Sequence, residues 1–341
     1  MLYKELFLSK YQKVPVIEYE NVTSKNPLVS ICVQTYQHSK YISECLDGIL
    51  MQETNFDFEI LLGEDDSSDG TRDICIEYAK KFPDKIKLFL HSRENNIRIY
   101  DKPTAKFNVQ YNIYSAQGKY LAMCEGDDYW TDPLKLQKQV DFLESNSDYG
   151  LIYSDTKLFC DNIDNDEETE RFENFKNRYI SIKNLYKSGN IFWEILEKNL
   201  VNTLTVCLRT NLIQDYFNKF PEEKFAYDHR LWMHIASLSK IKYVDEKSAN
   251  YRVHIKGLSS SKNFFDKRSP LAKQSALIHY LSIINFNIKL INKNKFSKIS
   301  YNILKSKNIS KKEKQPIRSF LKAHPKFLIY ILRWKLKKFF N

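Results

Sequence analysis

The sequence predicts an α/β fold in which helices flank an open, mostly parallel twisted sheet. Short apolar runs of strand length alternate with segments whose apolar residues recur at helical spacing, and this alternation favours parallel strands joined by helices. The composition agrees, because the 341-residue chain is 43% hydrophobic and 28% charged, as soluble globular proteins are. A wholly disordered or collagen-like protein is therefore excluded.

Residues 1–26 are polar and show no clear periodicity, so we assign them to an N-terminal extension that ends before Pro27. Two strand-loop-helix motifs follow it. The first motif has a strand at 28–33, a loop at 34–39 and a helix with apolar residues from 42 to 50. The second motif has a strand at 58–62, an acidic loop at 63–70 and a helix from Thr71.

The alternation of strands, loops and helices continues to about residue 145. Asp132-Pro133 indicates the start of the last helix, because Pro is favoured at the first helical position and Asp before it. The predicted elements are a strand at 86–90, a helix at 104–116, a strand at 120–124, an acidic loop at 125–128 and a helix that opens at Asp132.

Charge is distributed unevenly along the chain. Residues 262–341 contain 20 Lys and Arg but only 2 Asp and Glu, so they carry a net charge of +18, whereas the whole chain carries +11. We therefore predict an acidic body, residues 27–261, and a basic helical C-terminal region, residues 262–341. Such a region is expected to meet an anionic surface.

Several kinds of site are excluded by absent motifs. The chain has no G-x-G-x-x-G and no G-x-x-x-x-G-K-[ST], the fingerprints of dinucleotide binding and of the P-loop. Its six cysteines form no C-x-x-C pair, so we predict buried free thiols rather than zinc ligands or disulfides. With no secretory signal and no apolar stretch long enough to span a bilayer, we predict a cytoplasmic protein that is peripheral on a membrane.

Three polar loops leave the predicted carboxyl ends of strands, which is where open α/β sheets bind ligands. Acidic side chains dominate two of them, Glu64 to Asp69 and Glu125 to Asp128. Carboxylates gathered at one sheet edge repel one another unless a cation or a hydrogen-bonding ligand compensates them. A tight acidic loop can chelate Mg²⁺ or Mn²⁺, although a solvated turn with a helix cap is the plainer interpretation of either loop alone.

The segments VSICVQTY, EILLGEDDSSDGT and GKYLAMCEGDDYWTDPLKLQKQVDFLE resemble the conserved blocks of family 2 glycosyltransferases with the GT-A fold. The segments YDHRLWMHIA and YVDEKSANYRVHIKGLSS fit the same family, and the five blocks occur in its order over residues 27 to 260. The sequence departs from the family where Glu125 replaces the first Asp of D-x-D and where Gln34 and Gln37 replace Pro and Asn. Glu125 keeps the negative charge of that Asp on a side chain that is one methylene group longer.

The resemblance implies roles for individual residues. Thr35 and Tyr36 match residues of the nucleotide pocket, and Asp65 matches the acid that reads the base. Asp127 and Asp128 match the acids that bind the metal and the donor diphosphate, and His254 matches a histidine near the diphosphate or the metal. Glu125, at the first acid of D-x-D, is expected to bind the donor or the metal, and Arg252 is expected to pair with the diphosphate or with the acidic cluster. Asp228 matches the general base; a helix cap or a partner for Arg230 is the plainer role for it, as an ordinary loop histidine is for His254.

The implied reaction is inverting transfer of a sugar from a nucleotide-sugar donor, usually a UDP-sugar, to a hydroxyl of a glycan or lipid-linked acceptor. Mn²⁺ or Mg²⁺ stabilises the leaving diphosphate, and a carboxylate takes the proton of the acceptor hydroxyl. Trp130 and Trp232 are candidates for stacking on sugars or for packing alone. Two alternatives remain: a sugar nucleotidyltransferase, and a non-catalytic anion-binding or membrane-binding protein with a basic tail.

The basic region contains two predicted helices, Leu277 to Leu290 and Phe327 to Phe340. In the second, apolar residues alternate with Arg333, Lys335 and other cations, as in helices that lie in a membrane interface. We expect residues 316–341 to meet an anionic membrane surface, or alternatively to pack on the body with solvated lysines. Nucleic acid is not an expected partner.

Overall fold

The computed structural model describes residues 2–99, 102–161, 166–219, 227–254, 293–306, 311 and 314–340. The chain divides into two compact units, each described by itself. The first unit comprises Met1–Ile191 with Leu200–Ser260, and the second comprises Phe192–Asn199 with Ser261–Asn341. The predicted helix at Leu277 to Leu290 lies outside the described residues.

The described strands all belong to the first unit. They are β1 (Ile17–Glu18), β2 (Val29–Thr35), β3 (Phe58–Glu64), β4 (Ile86–Leu90), β5 (Arg98–Ile99), β6 (Lys102–Pro103), β7 (Tyr120–Glu125), β8 (Tyr129–Trp130), β9 (Tyr149–Phe159), β10 (Cys207–Arg209) and β11 (Lys240–Arg252).

The described helices are shared between the units. They are α1 (Leu2–Tyr11), α2 (Ile42–Leu50), α3 (Thr71–Lys81), α4 (Lys106–Ser115), α5 (Lys135–Ser145), α6 (Asp166–Lys183), α8 (Thr210–Lys219) and α9 (Tyr227–Leu238) in the first unit, and α7 (Phe192–Glu197), α10 (Lys293–Lys305), α11 (Gln315–Ala323) and α12 (Lys326–Phe340) in the second.

Nine of the described strands form one sheet, in the order β1-β4-β3-β2-β7-β10-β9-β11-β8. The four strands β4, β3, β2 and β7 run parallel, and β9 and β11 form a second parallel pair. The strands β1, β10 and β8 are antiparallel to their neighbours. The predicted open, mostly parallel sheet flanked by helices is therefore confirmed.

Both faces of the central strands are buried, which explains why their sequences are mostly apolar. Ile31 and Ile60 belong to one apolar cluster with residues of α2, α3 and α5. Cys32 and Leu61 point the opposite way along the same strands, and they are also fully buried. The helix α4 packs on β2 and β3, where Asn112 Nδ2 donates to the carbonyl oxygens of Val33 and Leu61 at 3.0 Å.

Gly63 in β3 makes room for an amide side chain of α4. Asn108 Nδ2 donates to the Gly63 carbonyl oxygen at 2.8 Å, and a Cβ at position 63 would lie 1.8 Å from Asn108 Oδ1. We expect Gly63→Ala to lower the free energy of unfolding by about 1–3 kcal/mol through overpacking, as measured by urea denaturation.

A double-mutant cycle with Asn108→Ala tests whether this clash causes the loss of stability. Removing the obstructing amide should make the cost of Gly63→Ala much smaller in the double variant than in the wild-type background. Simple additivity of the two changes would contradict a clash between these residues.

The N-terminal extension has more structure than its sequence suggests. Phe7 of α1 is buried and its ring stacks on Phe107 of α4 with 5.1 Å between centroids. The strand β1 pairs with the outer edge of β4. Residues 1–26 were assigned no element because a helix docked through one aromatic residue and a two-residue strand give almost no periodic signal.

Most predicted boundaries shift by only a few residues, and one helix begins later than expected. The helix predicted to open at Asp132-Pro133 starts at Lys135, because Asp132 Oδ1 accepts the Leu134 N–H at 3.0 Å and holds a turn before the helix. All six cysteines are free thiols, as predicted, and five of them are buried. Among the described helices, none is both long and apolar enough to cross a bilayer.

Candidate active site

The three polar loops meet at one edge of the sheet. The register pairs Thr35 with Glu64 and Gln34 with Glu125, so β2, β3 and β7 end side by side. A Cβ at Gly126 would lie 2.8 Å from Thr35 Oγ1 and 3.0 Å from His38 Nδ1, which shows how closely the first and third loops approach. The predicted convergence of loops that are distant in sequence is therefore present.

Two acids of the second loop stabilise the loop itself. Glu64 is fully buried, accepts the N–H of Ser67 at 2.7 Å and pairs with Arg72. Asp69 accepts the N–H of Thr71 and the N–H of Ser39, both at 3.1 Å. The turn-and-cap role therefore accounts for part of this acidic loop, and it leaves Asp65 available for another task.

Hydrogen bonds also attach the first loop to the second. The backbone N–H of Gln37 donates to Ser67 Oγ at 2.9 Å, and that of His38 donates to Thr71 Oγ1 at 2.9 Å. Gln37 has a φ of 58°, in the left-handed region, where these contacts hold it. The Ser and Thr of the second loop thus position the backbone that presents Thr35 and Tyr36.

Tyr36, Asp65, Arg93 and Asn96 form a cluster at this edge, which we call the outer pocket. Tyr36 is 39% exposed, and the Arg93 guanidinium lies 3.8 Å from the centroid of its ring. Asp65 Oδ2 accepts from Arg93 NH1 at 2.9 Å and from Asn96 Nδ2 at 3.1 Å. Burial raises the pKa of Asp65 to about 6, although Asn96 and Arg93 stabilise its charge. The pocket offers a flat ring face beside a carboxylate, which suits a nucleobase.

We expect Arg93→Ala to weaken nucleotide binding about tenfold, because Arg93 orders the Tyr36 ring and the Asp65 carboxylate before the nucleotide binds, and ordering such side chains costs on the order of 1 kcal/mol. Calorimetric titration with UDP measures the change. The exposed Arg318→Ala serves as a control that removes the same side chain from the second unit. Equal UDP affinity of Arg93→Ala and wild type would show that Arg93 does not contribute to nucleotide binding.

The third loop carries the acids at the centre of the site. Asp127 Oδ2 lies 3.0 Å from His254 Nε2 and 3.9 Å from His38 Nε2. Although burial disfavours its charge, the hydrogen bond from His254 and the proximity of His38 hold the pKa of Asp127 below its ordinary value. Burial, with the charges of Asp127 and Asp228, raises the pKa of Glu125 to about 8. Asp127 is therefore the carboxylate of this loop that favours the ionised form.

Asp128 and Arg252 hold the third loop in place. Asp128 is buried, and its Oδ1 accepts the backbone N–H of Arg252 at 2.8 Å. The Arg252 side chain donates from Nε to the Asp127 carbonyl oxygen at 2.8 Å and pairs with Glu44 and Asp161. These contacts fix the loop against β11. They do not test the metal role predicted for Asp128 or the donor-binding role predicted for Arg252, which stay predictions.

The residues around Asp127 fit a hard or borderline divalent cation by their chemistry. Glu125 Oε2, Thr35 Oγ1 and His38 Nδ1 are buried atoms that have no hydrogen-bond partner. No group of three His, Cys, Asp or Glu side chains within the described ranges is already arranged to hold an ion. Mg²⁺-like ions commonly take one or two protein carboxylates and complete their shell with substrate phosphates. The metal-ligand roles of Asp127 and His254 stay predictions.

Asp228 lies in the first turn of α9 and is partly exposed. Its charge contributes to the raised pKa of Glu125 and also acts on Arg178 of α6. Asp228 therefore belongs to the same electrostatic environment as the third loop, although 100 residues of chain separate it from Asp128.

The two tryptophans proposed for sugar stacking are core residues. Trp130 is 1% exposed, and its Nε1 donates to the Leu204 carbonyl oxygen at 2.7 Å. Trp232 is fully buried. Trp130 pairs with Ala249 in the sheet, and this pairing buries a ring that the sequence places beside a polar loop. The packing role is therefore correct for both residues.

Sequence reasoning missed Arg93 and Asn96, which both contact Asp65. A signal was present, because His91-Ser92-Arg93 directly follows the predicted strand at 86–90 and so leaves the same edge of the sheet. It also missed His38, two positions beyond the segment that carries the family resemblance.

Comparison with known proteins agrees with this fold. The family model described as Glycosyl transferase family 2 matches residues 30–196. An uncharacterised protein of Mycobacterium bovis is 31% identical over 230 residues, which are 67% of this chain and 60% of the relative. A protein of Haemophilus influenzae named as an uncharacterised glycosyltransferase is 26% identical over 293 residues, 84% of each chain.

A solved structure shares the fold at low sequence identity. TarS residues 1–349 from S. aureus, crystallised in complex with UDP, give a TM-score of 0.52 at 16% identity, covering 89% of this chain and 80% of that one. The fold is thus similar to that of glycosyltransferases of the GT-A type. Residues 30–196 of the chain thus match glycosyl transferase family 2. It spans 60% of the length of the mycobacterial relative.

Proposed function

We propose that the protein transfers a sugar, with inversion, from a nucleotide-sugar donor to a hydroxyl of a glycan or lipid-linked acceptor. The observation that carries the proposal is the convergence of acids from distant segments at one sheet edge. Asp65 lies in the outer pocket, Asp127 at the centre, and Asp228 close enough to act on Glu125. Such an arrangement suits a charged donor between a base pocket and an acceptor site.

The outer pocket supports binding of a nucleoside diphosphate. The ring of Tyr36 offers a stacking face, and the carboxylate of Asp65 can accept an N–H of the base. We assign the donor as a UDP-sugar, because uracil has one such N–H beside two carbonyl groups and because the similar TarS domain was crystallised with UDP. Thr35 Oγ1, buried without a partner, remains available to the donor.

Asp127 and His254 would hold the cation, Mn²⁺ or Mg²⁺, with the donor diphosphate. When bound, the cation offsets the negative charge that the leaving nucleoside diphosphate gains. The protein keeps Asp127 ionised through His254 and orients the loop backbone through Arg252. The nearby Glu125 carboxyl is buried and becomes less costly to ionise once positive charge is present.

Asp228 is the proposed general base. A hydroxyl is a weak nucleophile at neutral pH, and a positioned carboxylate that takes its proton typically accelerates such steps by about 10²–10⁴-fold. A single displacement from the face opposite the leaving diphosphate inverts the anomeric centre. We place this reaction in surface polysaccharide or glycolipid synthesis at the cytoplasmic face of a membrane, because residues 316–341 carry seven Lys and Arg and no Asp or Glu.

A screen of nucleotide sugars tests the proposal. Slow donor hydrolysis in the presence of Mn²⁺, with release of UDP and the free sugar, is the expected result for a glycosyltransferase without its acceptor. Release of pyrophosphate from a nucleoside triphosphate and a sugar phosphate would instead indicate a nucleotidyltransferase. Absence of both binding and turnover across UDP-, GDP- and dTDP-sugars would contradict an enzymatic function for this site.

A further inference from the structure

The last helix, α12, has two apolar faces that differ in their surroundings. Phe327 is buried and its ring lies 5.4 Å from that of Phe296 in α10. Ile331 is also buried, and Trp334 lies 5.2 Å from Tyr301 of α10, measured between ring centroids. This inner face is therefore covered by other helices of the second unit.

The second apolar face of α12 is open to solvent. Four large apolar side chains lie there at helical spacing, and we call them the outer row. They are Leu328 (43% exposed), Ile329 (53%), Leu332 (56%) and Leu336 (57%). Single exposed leucines are common on protein surfaces, but a contiguous apolar row marks an interaction surface.

Cations border the outer row on both sides. With about 100° between successive helical residues, Lys335 adjoins one edge of the row, and Lys326 and Arg333 adjoin the other. No Asp or Glu occurs between residues 316 and 341. A second copy of the chain is a poor occupant for this face, because pairing two such helices would bring like charges together without compensation.

We propose that α12 lies in the plane of an anionic membrane surface, with the outer row immersed between headgroup and acyl chains. Lys326, Arg333 and Lys335 then reach the lipid phosphates, as the basic flanks of interfacial helices do. The inner face stays on α10, so the attachment leaves the second unit intact. The inference refines the proposed membrane location but uses no residue of the candidate active site.

Vesicle co-sedimentation of the full chain tests this surface. Wild type should bind vesicles of mixed phosphatidylglycerol and phosphatidylcholine, and binding should fall with phosphatidylcholine alone and with added salt. The double variant Leu332→Glu/Leu336→Glu should bind the anionic vesicles at least about tenfold more weakly, because it removes two immersed leucines and adds two negative charges. Leu6→Glu is the matched control, since Leu6 of α1 is also 57% exposed.

A second variant keeps the test decisive if the double Glu variant does not fold. Arg333→Gln/Lys335→Gln leaves the apolar row unchanged and should weaken binding to anionic vesicles alone. UDP and Mn²⁺ affinity measured on the same samples separates this surface from the active site. Undiminished vesicle binding by either folded variant would overturn the proposal, as would a dimer of the wild type that the Glu variant dissociates.

Discussion

Replacing Asp228 by Asn is expected to lower the turnover number for sugar transfer by about 10²–10⁴-fold, the range typical of general-base catalysis. The amide keeps the shape of the carboxylate but cannot take a proton from the acceptor hydroxyl. Binding of UDP and Mn²⁺ should change little, because Asp228 lies on α9 and makes no part of the outer pocket. Initial rates at saturating donor and acceptor measure the effect.

Asp215→Asn is the matched control for this variant. Asp215 of α8 lies 3.0 Å from His234 of α9, so its replacement disturbs the support of the helix without removing the proposed base. We expect the control to retain most of its turnover. If the Asp228→Asn variant transferred sugar to an acceptor at a near wild-type rate, another group would have to take the proton of the acceptor hydroxyl. The assignment of Asp228 as the general base would then be wrong.

Asp127→Asn should weaken Mn²⁺-dependent UDP binding by at least about 100-fold. Loss of a residue that merely supports a metal ligand typically costs 10–100-fold, and Asp127 is proposed as the ligand itself. The amide also leaves His254 without its carboxylate partner at 3.0 Å. Calorimetric titration of UDP with and without Mn²⁺ shows whether the loss depends on the metal.

Asp141→Asn provides the corresponding control for Asp127. Asp141 lies on the exposed side of α5 and accepts from Gln137, so it carries the same charge outside the site. Affinity for UDP without Mn²⁺ should be similar in both variants and in wild type. An Asp127→Asn protein that still responded to Mn²⁺ like wild type would exclude Asp127 as a ligand.

The strands and the polar edge of the sheet could be predicted because their physical causes are local. Leu28 to Val33 and Phe58 to Leu62 are short runs that are apolar except for Ser30 and Glu59, as is typical of strands buried on both faces. Parallel strands then place the loops that follow them at a common edge. The sequence alone therefore predicts that Asp65 and Asp127 lie in one site.

The contacts that fix the site could not be predicted, because they join segments far apart in the chain. Trp130 is next to an acidic loop in sequence, and only its pairing with β11 makes it a core residue. Arg252 pairs with Glu44, 208 residues earlier. Its sequence context is equally compatible with a diphosphate ligand, since both partners offer negatively charged oxygens.

The anchoring of the third loop by Arg252 has a consequence for the order of folding. Glu44, Asp127 and Arg252 can meet only after β11 has been synthesised and has joined β9. A chain that stopped before β11 would therefore lack the contacts from Arg252 that anchor the third loop.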